Sequence, residues 1–305
     1  MTIRPTRIDP ATVRATLRAA GLRARVSLSQ NFLADAAVLE SILREAAPAP
    51  GARIIEIGPG LGILTGALLE SGAVVTAIEL DRGLAAFLRA SHVDAIAREG
   101  SGVPEPPGRL RLIEGDALDQ ELVRLVPPPY DVVANIPYHI TSPILHALLG
   151  SAPRPRRIVL MVQREVAERI AAPPGGMSYL SVFVQYHART RIVAVVPPEA
   201  FEPAPKVASA IVVLEPYPND DRFGDQQAEE ALWRLVQASF RERRKMLHNV
   251  LVRQLGLSRE RVEQALATAG IAPDRRPQTL GVGEWLALLD AIGSIGADSR
   301  GRKGP

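Results

Sequence analysis

Four short segments carry side chains whose types and spacing could do chemistry, and three of them share one pattern. EIGPGLG (56–62), AIELD (77–81) and EGDAL (114–118) each close an apolar run. Glycine, here Gly58 and Gly60, serves where backbone must turn tightly and lie against a ligand. The spacing approaches the dinucleotide-binding turn G-x-G-x-x-G but departs from it, with Ile63 at the third glycine position and Pro59 inside the turn. Glu79 falls at the carboxyl end of its run, where an acidic side chain can take both hydroxyls of a ribose, and Asp116 falls at the same edge. Each alone also fits a solvated strand end; the three together point to a nucleotide-like cofactor. The fourth segment, VVANIPYHITSP (132–143), brings Asn135, Pro137 and Tyr138 to that edge. An amide at the mouth of a buried strand needs a hydrogen-bond partner, and a tyrosine beside it needs something to stack on. Read alone, it also fits an ordinary strand-ending turn, because Asn and Pro are turn residues.

The elements that must position these residues are legible from periodicity. RIIEIG, AVVTAIEL, RLRLIEGD, YDVVANI and RRIVLMV read as five strands with helical patterns between most of them. Uninterrupted apolar strands alternating with helices predict a parallel sheet covered on both faces. SPILHALLG reads as a helix with Ser142 as its N-cap and Pro143 at its first position. LSVFVQYHA, RIVAVV and ASAIVVLEP come without long helices between them and read as added, partly antiparallel strands at one end of the sheet. ATVRATLRAAG predicts a short helix with Val13 and Leu17 on one face, and EGSGVPEPPG (99–108) a flexible loop. EPYPNDDRFGDQ (215–226) is polar and turn-rich and reads as a linker. Beyond it the pattern is helical only, beginning with one long helix through EEALWRLVQASFRERRKMLHNVLVRQLG and ending in a disordered tail, SRGRKGP. The predicted division is 1–216 and 217–305.

Composition narrows the classes. The chain has 305 residues, 47% hydrophobic and 23% charged, with no apolar run long enough to cross a membrane. It has no cysteine, which excludes disulfides, cysteine nucleophiles and thiolate metal sites. Five scattered histidines show no metal-ligand spacing, so no metal is expected. Net charge is +3, with the positive charge carried almost wholly by arginine, which permits an acidic partner without demanding one. The arginine-rich N-terminus lacks a secretory apolar core and reads as a retained arm.

SLSQNFLAD, EIGPGLGILT, AIELD, EGDAL, NIPYHITSPIL, FEPAPKVASAIVVLEP and FRERRKMLHNVL, in this order, resemble the ribosomal RNA small-subunit adenine N6,N6-dimethyltransferase family of the KsgA (RsmA) type. The resemblance spans about residues 11 to 290 and departs at Ser29, usually glycine there, and at the loop 99–108. It implies a Rossmann-like class I S-adenosylmethionine-dependent methyltransferase sheet with a smaller all-α C-terminal domain. It implies dimethylation of two adjacent adenines in a hairpin near the 3′ end of small-subunit rRNA, within a 30S assembly intermediate, by a cytoplasmic monomer with no obligatory protein partner. Carried over by position, Asn31 and Leu33 contact the cofactor, Gly58 and Gly60 lie against its methionine part, Glu79 takes the ribose and Asp116 the adenine amine. Asn135 sits where cofactor meets target.

What the resemblance implies chemically fits the residue types. An adenine N6 amine is a poor nucleophile because its lone pair is delocalised into the ring. The Asn135 side-chain oxygen and the Ile136 or Pro137 carbonyl can accept its hydrogens and orient that lone pair, while Pro137 stiffens the turn. Tyr138, and by family analogy Phe201, would stack on a base drawn out of its helix. Arg241, Arg244 and Lys245, with Arg243 beside them, are spaced to share a helical face that would hold rRNA phosphates. Three other readings stay open: a large-subunit rRNA adenine methyltransferase of the resistance type, a non-catalytic ribosome assembly factor, and a nicotinamide dehydrogenase, which has no use for Asn-Ile-Pro-Tyr.

Overall fold

The computed structural model describes residues 8–25, 28–96, 108–218 and 226–293. Along the chain lie α1 (Pro10–Ala19), β1 (Phe32–Leu33), α2 (Ala36–Ala46), β2 (Arg53–Ile57), α3 (Ile63–Glu70), β3 (Val74–Glu79), α4 (Arg82–Ser91) and β4 (Leu110–Glu114). They are followed by β5 (Asp131–Asn135), α5 (Thr141–Leu149), β6 (Arg157–Gln163), α6 (Arg164–Ile170), α7 (Tyr179–His187), β7 (Ala188–Val196), β8 (Phe201–Glu202) and β9 (Ser209–Pro216). Among the described residues there follow α8 (Gln226–Phe240), α9 (Leu247–Leu255), α10 (Arg259–Thr268) and α11 (Val282–Ile292). Packing divides the chain into two compact units, Met1–Glu168 with His187–Asn219, and Arg169–Tyr186 with Asp220–Pro305.

In the first unit a seven-stranded sheet runs in the order β4-β3-β2-β5-β6-β9-β7. β2 to β6 pair in parallel, and β9 pairs antiparallel with both β6 and β7. Ile54, Ile55, Val132 and Val133 are wholly buried, as strands covered on both faces must be. Parallel neighbours need long crossover connections, most of them helical here, and the chain winds outward from β2 to β4 and then returns to place β5 on the other side of β2. The β2–β5 boundary is therefore the switch point of the sheet, where open α/β sheets hold ligands. Helix starts are fixed locally: Asp9, Asp35 and Asp81 each accept backbone N–H groups from the first turns of α1, α2 and α4. A second small ribbon joins β1 to β8, with Phe32 opposite Glu202 and Leu33 opposite Phe201.

The second unit has its own core, in which Leu235, Val236, Leu247, Leu251, Trp285 and Leu288 are wholly buried. The segment 180–188, expected as a strand, forms most of α7. A short apolar run fits either element, and here Val182 and Tyr186, one helical turn apart, both enter this core. Packing thus draws Arg169–Tyr186 into the helical unit, in addition to the chain beyond the predicted division at 216/217.

The single long helix expected through FRERRKML is two. α8 ends at Phe240, Arg241–Lys245 form a turn, and Met246 is extended (φ −63°, ψ 136°). The charged run has no apolar face to keep it in the core. Breaking there lets Leu247 and Leu251 bury completely, while Glu242 turns back to accept from Arg253 and Gln254. Ser142 is not an N-cap: a 3-10 turn over Tyr138–Ile140 feeds directly into α5 at Thr141, and Ile140 stands at the cap position without a side-chain bond. QELVRLV (120–126), whose apolar spacing suggests a short helix, forms a 3-10 turn at Leu122–Arg124. Most of the loop expected at 99–108, part of the linker and the tail lie outside the described residues.

Gly62, the last residue before α3, has φ +76°, and a Cβ there would meet Leu88 Cδ2 at 2.6 Å and His92 Cε1 at 2.8 Å. Gly21 is equally left-handed (φ +66°), but no atom lies within 4 Å of where its Cβ would stand. Gly21→Ala should therefore cost only the conformational penalty, about 1 kcal/mol, and Gly62→Ala that penalty plus about 1–3 kcal/mol of overpacking. Denaturant midpoints for the two variants check this, and equal losses would contradict it.

Candidate active site

One cleft opens at the switch point, and the glycine turn after β2 forms its floor. Gly58 and Gly60 both have positive φ (+67° and +60°). A Cβ on Gly60 would stand 3.1 Å from the Phe32 ring, so the turn lies tight against the N-terminal arm. Glu79, at the end of β3, is 5% exposed. Its Oε2 accepts from Gly60 N at 3.0 Å and its Oε1 from Asp81 N at 2.8 Å. Burial pushes this carboxyl above its ordinary pKa, while the N–H groups of Asp81 and Gly60 pull the other way. Each oxygen keeps acceptor capacity for a hydroxyl of a bound ribose. Asp116 follows β4 and caps a 3-10 turn, its Oδ1 accepting from Leu118 N at 2.9 Å.

β5 delivers the other wall. Asn135, its last residue, donates from Nδ2 to the backbone oxygen of Asn31 at 3.2 Å, so the arm fixes the amide and directs its oxygen elsewhere. The carbonyl of Pro137 already accepts from Ile140 N at 3.1 Å, whereas that of Ile136 accepts no backbone N–H among the described residues. Tyr138 lines the cleft half-buried, and its hydroxyl lies 2.8 Å from Ser209 Oγ at the start of β9. Asn31 and Leu33 line the same cleft from the arm. Among the described residues no cluster of three potential ligands could hold a metal ion.

Two expectations need correction. Phe201 is 2% exposed and packs in the core of the first unit instead of lining the cleft. The two-residue pairing of β8 with β1 sets its direction: Phe201 turns inward opposite Leu33, and Glu202 turns outward to Arg14 at 2.6 Å. Arg241, Arg243, Arg244 and Lys245 belong to the helical unit, where they occupy a turn and not a shared helical face. All four are exposed. Arg241 donates to Gln254 Oε1 at 3.4 Å, and the side chains of the other three have no acceptor among the described residues.

Glu56 is a site residue to which sequence reasoning assigned no role. It interrupts the apolar face of β2, is 1% exposed, lines the cleft and accepts from Thr65 Oγ1 at 2.7 Å. Burial pushes its pKa up to about 8, with the Thr65 hydrogen bond opposing and the nearby Glu79 charge adding to the shift. A Glu inside RIIEIG was the available signal, since a buried acid in an apolar strand requires a reason.

The sequence comparisons agree with one another. A family model described as ribosomal RNA adenine dimethylase matches residues 21–293. The chain is 41% identical over 293 residues to Ribosomal RNA small subunit methyltransferase A of Anaeromyxobacter sp. (strain K), covering 92% of this chain and 97% of the relative. To the protein of that name from Thermosynechococcus vestitus it is 42% identical over 278 residues, with 89% and 97% covered. Among solved structures, the 23S rRNA methyltransferase ErmE superposes with a TM-score of 0.66 at 30% identity, covering 86% of this chain and 99% of that one. A dimethyladenosine transferase from Plasmodium falciparum gives a TM-score of 0.66 at 26% identity, covering 84% and 95%.

The folded chain holds the Glu56 proton up to about pH 8, whereas an unfolded chain releases it near 4.5. This contribution to stability is complete below about pH 4.5 and is lost as pH rises toward 8. Glu56→Gln, which needs no proton, should match wild type at low pH and melt higher by at least about 2 °C at about pH 8. Melting curves across that range check it; a difference independent of pH would contradict a neutral buried carboxyl.

Proposed function

Because the chain belongs to the ribosomal RNA adenine dimethylase family, we propose that it is an S-adenosylmethionine-dependent enzyme that converts two adjacent adenines near the 3′ end of small-subunit rRNA to N6,N6-dimethyladenine. The observation that carries this is the convergence of Gly58, Gly60, Glu79, Asp116 and Asn135 on one cleft, beside a half-buried Tyr138. The relatives at 41–42% identity bear the small-subunit name, and the 23S enzyme shares 30%, which favours the small-subunit branch over the resistance type. The intact Asn-Ile-Pro-Tyr segment and acidic pair favour turnover over a purely structural role in assembly. Its substrate would be a 30S assembly intermediate in the cytoplasm, met by a monomer; among the described residues no helix is long and apolar enough to cross a membrane.

The donor set suits that cofactor. Glu79 offers two oriented oxygens to a ribose, Asp116 an acceptor for an adenine amine, and Leu80, 49% exposed at the cleft, an apolar contact for a purine. When bound, S-adenosylmethionine supplies an electrophilic methyl group on a sulfonium. The chain's part is to present the acceptor nitrogen. With Nδ2 of Asn135 committed to Asn31 O, its Oδ1 accepts one N6 hydrogen; the Ile136 carbonyl takes the other, since that of Pro137 is engaged. Two such bonds leave the nitrogen lone pair as the remaining direction of the amine. Positioning of this kind lowers a barrier by several kcal/mol, to the order of magnitude. Tyr138 gives the extruded base a ring to stack on, and the arginines of the α8–α9 turn reach phosphates.

Labelled S-adenosylmethionine with 30S particles from an unmethylated strain, followed by nucleoside analysis, tests the assignment. Label in N6,N6-dimethyladenosine is expected, and Asn135→Ala should lower turnover about 100-fold while rRNA affinity holds. Label in 50S particles instead would move the chain to the large-subunit reading, and label in neither would leave the assembly role.

Neutralising Arg243, Arg244 and Lys245 together should weaken 30S binding and reduce the slope of log affinity against log salt by about one unit per lost phosphate contact. Cofactor affinity should stay unchanged. Binding isotherms across salt concentration measure both, and an unaltered slope would make the turn mere solvated surface.

A further inference from the structure

β9 runs SAIVVLEP, and its first residue is out of character with the five apolar ones that follow. Ser209 is wholly buried, opposite Gln163 of β6 on one side and Val196 of β7 on the other. A hydroxyl inside a sheet is costly unless it is hydrogen-bonded. Its partner is the hydroxyl of Tyr138, 2.8 Å away. The tyrosine is held at its other end as well, since Thr141 Oγ1 donates to its carbonyl oxygen at 3.2 Å. Backbone and ring tip are both tied, and what remains of the side chain for a ligand is its ring.

We propose that Ser209 is a positioning residue for methyl transfer: its hydroxyl fixes the tilt of the Tyr138 ring, so that an extruded adenine stacks with its N6 amine at Asn135. This rests on the function proposed above. A stacking platform specifies the position of an edge atom only if the platform cannot rock, and a ring pivoting about its Cβ moves the far edge of a stacked base most. β9 is the strand that runs against the parallel direction of its neighbour β6, and this reversal brings its first residue to the carboxyl edge where Tyr138 lies. A parallel strand entering the sheet would begin at the opposite edge. Ser209 acts through Tyr138 and touches neither cofactor nor rRNA, so its removal should slow the step after binding and leave binding alone.

The test is single-turnover methylation of unmethylated 30S particles at saturating cofactor, with 30S and cofactor affinities measured separately and melting curves as a check of folding. Ser209→Ala should slow the turnover about tenfold, the scale of one neutral hydrogen bond, with both affinities within about twofold of wild type. Tyr138→Phe, which keeps the ring and removes the same bond from the other side, should match it. The double variant should be no slower than either single one. Ser209→Thr, which keeps the hydroxyl, should recover most of the rate. Wild-type turnover in Ser209→Ala would overturn the inference, as would a slow Ser209→Ala beside a fully active Tyr138→Phe, or losses that multiply in the double variant. A wild-type chain that labels no adenine overturns the proposed function and this inference together; an active wild type with an unaffected Ser209→Ala overturns this inference alone.

Discussion

A single buried carboxylate ties the cleft together. Glu79 accepts from Gly60 N with one oxygen and from Asp81 N with the other, joining the glycine turn after β2 to the end of β3. The second bond fixes the residue that caps α4, because Asp81 accepts from Gly83 N and Leu84 N. The remaining oxygen of Asp81 meets Arg25 Nε at 3.0 Å, which reaches into the N-terminal arm. The arm then supplies Phe32 against Gly60 and the Asn31 carbonyl that orients Asn135. From one desolvated acid, hydrogen bonds and packing lead through the glycine turn and the arm to Asn135. A cofactor engaging Glu79 as proposed would therefore act on the same network that holds the Asn135 amide.

The two acids of the cleft divide the electrostatic work by their surroundings. Glu79 is offset chiefly by the N–H groups of Asp81 and Gly60, whereas Glu56 has only the Thr65 hydroxyl and backbone to oppose its complete burial, which raises it to about 8. Two ionised carboxylates packed under one glycine turn would repel, and holding one neutral removes most of that cost.

Much of this was legible because parallel strands advertise themselves. RIIEIG and AVVTAIEL have no polar alternation, and their ends fall at one edge whichever helices join them, so the sequence already gathers Gly58, Glu79, Asp116 and Asn135. The direction of Phe201 could not be read. It depends on a two-residue ribbon whose partner, β1, is remote in sequence, and one residue of slip would have turned it to the face where Glu202 meets Arg14. The run 180–188 failed for a different reason: an apolar stretch buried on several sides carries no period to tell helix from strand. The break at Arg241 was hidden because RERRK has good helix formers throughout. What ends α8 there is Glu242 turning back to Arg253 and Gln254 and the burial of Leu247, which are contacts made at longer range. Ser209 went unremarked because a lone serine at a strand end is common, and only its partner gives it meaning.

The second unit takes a segment from the middle of the chain, and this bears on how separable the protein is. Met177, Val182 and Tyr186 share a core with Leu232, Val236 and Trp285. A fragment cut at the apparent linker would therefore carry the terminal helices without three of the side chains that close their interior. It would expose apolar surface where the intact protein has none, and such fragments aggregate or seek a substitute partner. The helical unit is thus no detachable appendix to be transplanted by end-to-end fusion. Anyone shuffling specificity between members of the family must exchange two stretches of chain at once, with the junctions placed near Glu168 and His187 as well as beyond β9.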